Sequence, residues 1–468
     1  MTEQKTGEEK IQPMNFRSQL ICYRPGGNDT VLILNGDVNP LTKKVINNSV
    51  MKIYPNIEQV GFVFLMENKV QLNMAGGEFC GNATRSTADL ALNSQPGNLQ
   101  IKVSGVENVL KAGVTPDGEA FAQMPVYSNI SKVKKDTKNE SGWIVEMEGI
   151  THYVDFDSTK IIGLSDEEIK QLSISTIREK GLEQFPASGV IYVKKLGNEG
   201  LQITPVVYVK EINTLFLETA CGSGTCAVGE VMSIINNRSI IELPILQPSG
   251  EIIKISVEYI NRKFEYAQIQ GEVKKISEGI IRIDKENSFY VIEDFNSEAF
   301  NDPLTRSNII QLYKDIFKEK PYFESFTDEE VIGYFKEYIE KGKVLIARNE
   351  QGIVGFSAIL PLNSQTEISN LASQFGVNID NCQYIAELGV RIDQRRKEIG
   401  QGLIEELLMT LPENVETLLR TTKANEFAIA LYEKLGFSRI QGMEEVVKQQ
   451  RIEGKNIEDQ RIFMIKSL

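Results

Sequence analysis

Between residues 14 and 283 the apolar positions fall in short runs, "TVLILN" from Thr30, "VGFVFLM" from Val60, "NLQIKVSG" from Asn98, "GVIYVKK" from Gly189 and "LQITPVVYVKEINTLFL" from Leu201. Turn-forming stretches such as "RPGGND" and "SQPGN" separate them, a pattern that predicts β-strands joined by tight connections. Only "ATRSTADLALNS", "TCAVGEVMSIINN" and a segment near "SDEEIKQLSIST" carry helical spacing there. From Phe289 the rhythm changes. The segments "TRSNIIQLYKDIFKEK" and "DEEVIGYFKEYIEKG" read as amphipathic helices, the second with an acidic start. After them "KVLIARNEQGIVGFSAIL" predicts a hairpin that turns near Gln351-Gly352. The polar stretch "VKKISEGIIRIDKENS" reads as the join. The expected division is a flexible tail over 1–13, a strand-rich α+β domain over 14–286 and an α/β domain over 287–468.

Composition narrows the chemistry. The chain has 468 residues, five cysteines, one histidine and a net charge of −13. An odd, low cysteine count argues against a disulfide framework, and the charged start "MTEQKTGEEKIQPMNF" lacks the apolar core of a signal peptide. No run of about 18 apolar residues is present to span a bilayer. A cytoplasmic location with reduced thiols is expected, with no membrane association. The acidic balance disfavours nucleic acid as a partner. A single histidine, His152, removes most zinc sites and leaves serine or cysteine nucleophiles without a histidine base elsewhere. No metal is expected, and His152 reads as structural.

Two stretches look alike, "GGEFCGNAT" from Gly76 and "LETACGSGT" from Leu217. Each sets a cysteine before glycine and small polar residues at a predicted helix start, as if two lobes were related by internal pseudo-symmetry. Unpaired N–H groups and the helix dipole at such a position favour a thiolate, with the pKa expected to fall toward neutrality. Glycines there let backbone approach an anion. Facing each other, two such junctions would supply two sulfur acid/bases and two rows of donors around one amino-acid carboxylate. The remaining cysteines read otherwise: Cys22 and Cys382 as inert core, Cys226 as facing inward behind Cys221.

With "GGNDTVLIL" at Gly26, the motifs "CGNATR" and "ETACGSGT" resemble the diaminopimelate epimerase-like family of cofactor-independent amino-acid racemases and epimerases, over about residues 14 to 284. The resemblance implies a two-lobed pseudo-symmetric fold, no pyridoxal phosphate, and Cys80 and Cys221 as the acid/base pair. It places Asn28, Asn73, Gly81, Asn82, Gly222 and Ser223 on the substrate, and Glu218 near its ammonium. The "GNPH" and "ERG" elements that hold a distal amino-acid end in true diaminopimelate epimerases are missing, with "PASGVIYV" and "EINTLFLETACG" in their places. The stretches "EQVGFVF" and "MAGGEFCGNAT" are closer to the branch that racemises histidine for opine-type metallophores. There Glu58 or Gln59 would meet a polar or cationic side chain, although a glutamate also suits the exposed start of a strand. A diaminopimelate epimerase with unusual contacts is the alternative. Dimers are common among such relatives, so a homodimer is an expected partner state beside the small amino-acid substrate.

Further on, "YIAELGVRIDQRRKEIGQGLIEELL" from Tyr384 is a strand, a basic turn and a helix, followed by "KANEFAIALYEKLGF". The pairing resembles the GNAT acyl-CoA N-acyltransferases over about residues 290 to 468, which implies acetyl-CoA as cofactor. By that resemblance Val390, Arg395, Arg396, Ile399, Gly400 and Gly402 bind it, with Asn425 near its arm. Tyr432 would be the general acid and Glu387 the base. Glu398 stands where the family has a glycine. A non-catalytic GNAT module that senses acyl-CoA is the alternative, as is a core role for Tyr432.

Overall fold

The computed structural model describes residues 15–34, 38–66, 69–197, 200–284, 286, 288–450 and 456–467. The expected tail over 1–13 lies outside them. The chain divides into two compact units, Ser18–Glu278 and a second that runs from Gly279 and includes Arg17. The division falls inside the strand Val273–Ile283. The polar stretch near Glu286 therefore lies within the second unit, between residues 279–283 and the strand Phe289–Asp294 that pairs with them. Arg17 belongs there too, its guanidinium 2.7 Å from Glu406.

The first unit repeats one motif twice. Asp29–Leu34 runs parallel to Ile57–Met66, with the helix Pro40–Ile53 as the crossover. Ile57–Met66 turns antiparallel onto Lys69–Met74, which in turn lies parallel to Gly97–Val103 across the helix Gly81–Ala91. The second half does the same. Ile150–Asp155 pairs parallel with Ala187–Lys195 across Asp166–Glu179, then comes Leu201–Val209 antiparallel, and Gly222–Asn236 crosses to the parallel Ile240–Leu246. Corresponding positions in the two halves thus carry the two cysteine helices. The strand Lys263–Gly271 ties the lobes by pairing with Ile252–Ile260 on one edge and Ala120–Gln123 on the other.

Both cysteine helices are buried along almost their whole length, which the amphipathic spacing does not predict. A helix wrapped on all sides must satisfy its polar groups internally. In Gly81–Ala91, Thr84 and Thr87 donate their hydroxyls back to the carbonyls of Cys80 and Ala83 at 2.7 and 2.8 Å. The helix Pro40–Ile53 escapes the periodicity reading, yet its start is signalled locally. Asn39 caps it by accepting from Thr42 N, and Pro40 fills a first-turn position that needs no donor.

The second unit is a sheet of Phe289–Asp294, Lys343–Asn349, Gly352–Pro361, Cys382–Val390, Glu416–Thr422, Asn456–Ser467 and Ser438–Gln450 in that order. The hairpin turns at Gly352, whose φ of 94° suits glycine. The helix Asp328–Lys341 starts in a capping box made by Thr327 and Glu330. Pairing of Cys382–Val390 with Glu416–Thr422 ends at Ile385 opposite Leu419. Residues 386–390 have no partner on that edge among the described strands, and the helix Ile399–Met409 begins just beyond them.

Candidate active site

Cys80 and Cys221 are each the N-cap of their helix. The Cys80 sulfur accepts from Ala83 N and the Cys221 sulfur from Gly224 N, both at 3.3 Å. The two helix starts are brought together by small residues: a Cβ on Gly81 or on Gly222 would meet the same Ile269 Cδ1, at 2.8 and 2.7 Å. Asn82 then bridges the lobes, donating to Ala220 O at 3.0 Å. Both cysteines line one partly open cavity of about 30 Å³. That is room for a few waters at most.

The lining includes the expected Glu58, Gln59, Gly81, Asn82, Glu218, Gly222 and Ser223. Asn28 and Asn73 are not part of it. Asn28 is fully buried and donates to Glu58 at 2.6 Å, so it acts on the wall, and Asn73 accepts from Gln71 at 3.2 Å along its own strand. Sequence reasoning missed Asn47, Met51 and Phe216, which reach the cavity through tertiary folding alone. It also missed Glu78, although that residue stands inside the first cysteine motif.

The electrostatics invert one expectation. Helix-start amides do reach both sulfurs, but burial outweighs them and pushes both thiols up, with the nearby Glu218 adding to the rise. A desolvated thiolate facing carboxylates is disfavoured more than the helix-start amides offset. Three carboxylates line the cavity and, among the described residues, no arginine or lysine does. Burial raises Glu58 to about 7, Glu78 to about 7 and Glu218 to about 8. Glu58 is spoken for, since Thr219 gives it both N–H and hydroxyl while Asn28 takes the other side. One oxygen of Glu78 has no partner among the described residues.

His152 stands behind this wall. Its Nε2 lies 2.9 Å from Ser223 Oγ, and full burial lowers its pKa to about 3, so the ring is neutral. Arg85 is buried on the first cysteine helix, giving Nη2 to Asn82 Oδ1 at 2.9 Å. Cys22, Cys226 and Cys382 are buried and in no disulfide among the described residues.

In the second unit, Glu387 is half-buried and accepts from Tyr313 and Tyr338 hydroxyls at 3.0 and 3.2 Å. Burial raises it to about 7. Tyr432 is buried against Phe437, and desolvation raises its hydroxyl pKa. Arg396 and Glu398 both hold left-handed backbone, φ 66° and 53°, and the helix start at Ile399 has no side-chain cap. That leaves first-turn N–H groups open to an anion. Arg395 pins the turn by donating to Val390 O at 3.1 Å. Two expected cofactor contacts are otherwise engaged. Gly402 N donates to Glu398 O within the helix, and its missing Cβ makes room for Tyr290 and Arg282. Asn425 caps the helix Glu426–Lys434 and donates to Tyr322.

A twice-repeated fold that sets two helix-capping cysteines on one cavity, joined to a sheet that opens beside an uncapped helix, defines an amino-acid racemase or epimerase carrying an acetyltransferase domain. Residues 19–281 match the model of the histidine racemase CntK N-terminal domain, and the chain belongs to that family. Residues 340–439 match the acetyltransferase (GNAT) domain. A histidine racemase of Fusobacterium nucleatum is 31% identical over 58% of this chain and 99% of its own. One from Staphylococcus aureus is 26% identical over 55% and 94%. Among solved structures, a hydroxyproline epimerase of Agrobacterium vitis overlaps 58% of this chain and 94% of its own at 12% identity and a TM-score of 0.43. A likeness that slight carries no argument. No helix among the described residues is long and apolar enough to cross a membrane.

Proposed function

We propose that the first unit interconverts L- and D-histidine without a cofactor, using Cys80 and Cys221 on opposite faces of the α-carbon. The observation that carries this reading is one cavity holding both N-capping thiols and three carboxylates but, among the described residues, no arginine or lysine. One sulfur takes the α-proton, and the other thiol returns a proton from the far side, which inverts the centre. Amides of the two helix starts stabilise the charge that moves onto the substrate carboxylate. The acidic wall suits an ammonium and an imidazolium. A second carboxylate, as in diaminopimelate, would find no cation there.

The second unit then acetylates an amine. Acetyl-CoA, when bound, would supply the acetyl group, and Arg395, Arg396, Ile399 and Gly400 would hold its pyrophosphate. Glu387 would accept the amine proton, and the Tyr432 hydroxyl would serve as the general acid. D-Histidine or a product made from it is the favoured acceptor. Deuterium entry at the α-carbon of histidine in D2O, read by NMR, tests the racemase. Cys80→Ser and Cys221→Ser should each abolish racemisation, and racemisation that survives either one sinks the two-thiol mechanism.

A further inference from the structure

Two buried oxygens in the cavity wall, Asn47 Oδ1 and Glu78 Oε2, have no hydrogen-bond partner among the described residues. Both side chains are almost wholly enclosed. The amide nitrogen of Asn47 is turned to Asn48 Oδ1 and the Met51 sulfur, at 3.3 and 3.6 Å, which leaves its oxygen over. A buried acceptor that meets no donor costs free energy, and a ligand that brings the donor removes that cost. Glu58 makes no such demand, because Thr219 and Asn28 already fill it.

The two oxygens stand at the same end of the cavity. Lys44 Nζ donates to Glu211 O at 3.0 Å, which ties the helix Pro40–Ile53, and Asn47 with it, to the turn after Leu201–Val209. A Cβ on Gly76 would meet Glu78 Oε2 and Val209 Cγ1 at the same 2.7 Å, with Ile212 Cγ1 at 3.4 Å, so the carboxyl group lies beside that turn too. Met51, Val209, Ile212 and Phe216 add apolar surface to the lining.

We infer that Asn47 and Glu78 form the side-chain subsite of the racemase, one oxygen for each ring nitrogen of histidine, with the apolar residues against the faces of the ring. This rests on the histidine reading above. The substrate carboxylate is taken by the amides at the two cysteine helices, so the side chain is left to this end. A neutral imidazole brings one N–H and one lone pair, and one of the two groups must then supply a proton. Only the carboxyl of Glu78 can do so, and burial holds it at about 7, beside the ordinary imidazole range. An aliphatic or carboxylate side chain would leave both oxygens without donors.

The test uses the full chain and follows α-proton exchange in D2O for L-histidine and its two N-methyl isomers, which differ in the ring nitrogen that loses its donor. The unchanged protein should act on histidine at least about 10²-fold better, as kcat/KM, than on either isomer, because a site built to hydrogen-bond a group rejects the analogue that lacks it. Asn47→Ala should raise the methyl-to-histidine ratio at least about tenfold for one isomer, and Glu78→Ala for the other. A merely structural role would slow all three substrates together and leave both ratios where they were. The inference is overturned if the unchanged protein accepts either isomer within about threefold of histidine, if both variants favour the same isomer, or if neither ratio moves. Should an alanine variant not fold, the three substrates on the unchanged protein still decide the point. Histidine exchange with unmoved ratios keeps the racemase reading and removes the subsite, whereas no histidine exchange at all overturns that reading and the subsite with it.

Discussion

Asn82 joins three things in one side chain: the substrate cavity, the opposite lobe and a buried charge. Its amide nitrogen holds Ala220 O, the residue before Cys221, and its oxygen accepts from Arg85 Nη2. Arg85 is fully buried, and neither Nε nor Nη1 has a partner among the described residues. Desolvation lowers its pKa from the ordinary guanidinium range to about 10, a penalty of roughly 3 kcal/mol already present, at about 1.4 kcal/mol per unit. It remains charged at neutral pH. Asn82→Ala strips that guanidinium of its bond and orphans a buried carbonyl, for which we expect a loss of about 3–5 kcal/mol. Asn82→Asp gives Arg85 a charged partner and should recover most of that stability. It also removes the donor to Ala220 and adds a fourth carboxylate to the cavity, so racemisation should stay at least about tenfold down. Trp143 is the sole tryptophan and lies in the first unit, so its fluorescence during urea unfolding reports that unit alone. If Asn82→Ala unfolds within about 1 kcal/mol of the unchanged protein, the account of Arg85 as a charge dependent on Asn82 is wrong.

Three further outcomes follow from the same reasoning. His152 is neutral when folded and would titrate normally when unfolded, so the unfolded state binds more protons below about pH 6.5 and stability falls with pH there. The slope is about 1.4 kcal/mol per unit down to about pH 3; His152→Leu should flatten the acid side of the Trp143 unfolding curve between pH 6.5 and 5, and an unchanged slope would count against it. With Glu387 as the proposed base, the rate of acetyl transfer should drop about tenfold per unit below about pH 7. Glu387→Gln should remove that limb, measured as acetyl-CoA consumption with histidine and simple amines. Gly402→Ala should destabilise the second unit by about 1–3 kcal/mol, because the new Cβ would lie 2.8 Å from the Tyr290 hydroxyl; thermal unfolding with an unshifted second transition would contradict this.

Much of the site was legible because its chemistry is local. Glycine and small polar residues after each cysteine signalled a helix start, and both helices begin at those cysteines. The two motifs also announced the repeated architecture, since the same backbone junction recurs at matching places in the two lobes. The helix at Pro40 could have been read from Asn39-Pro40, had capping been weighed before apolar periodicity. The turn at Arg395 to Gly402 was visible as well, but Glu398 in left-handed backbone was not, because a carboxylate gives no sign that it will adopt a glycine's conformation.

What the sequence determined by itself was therefore identity at short range: which residues cap helices, where turns fall, and that two thiols stand in like surroundings. Tertiary structure decided the rest. Asn28 and Asn73 lie off the cavity while Asn47, Met51 and Phe216 reach it, because crossovers bring distant segments onto one wall. The thiols are raised rather than lowered, because a pKa answers to the whole desolvated volume and to carboxylates on other strands, and no local motif records how deeply its sulfur will be buried.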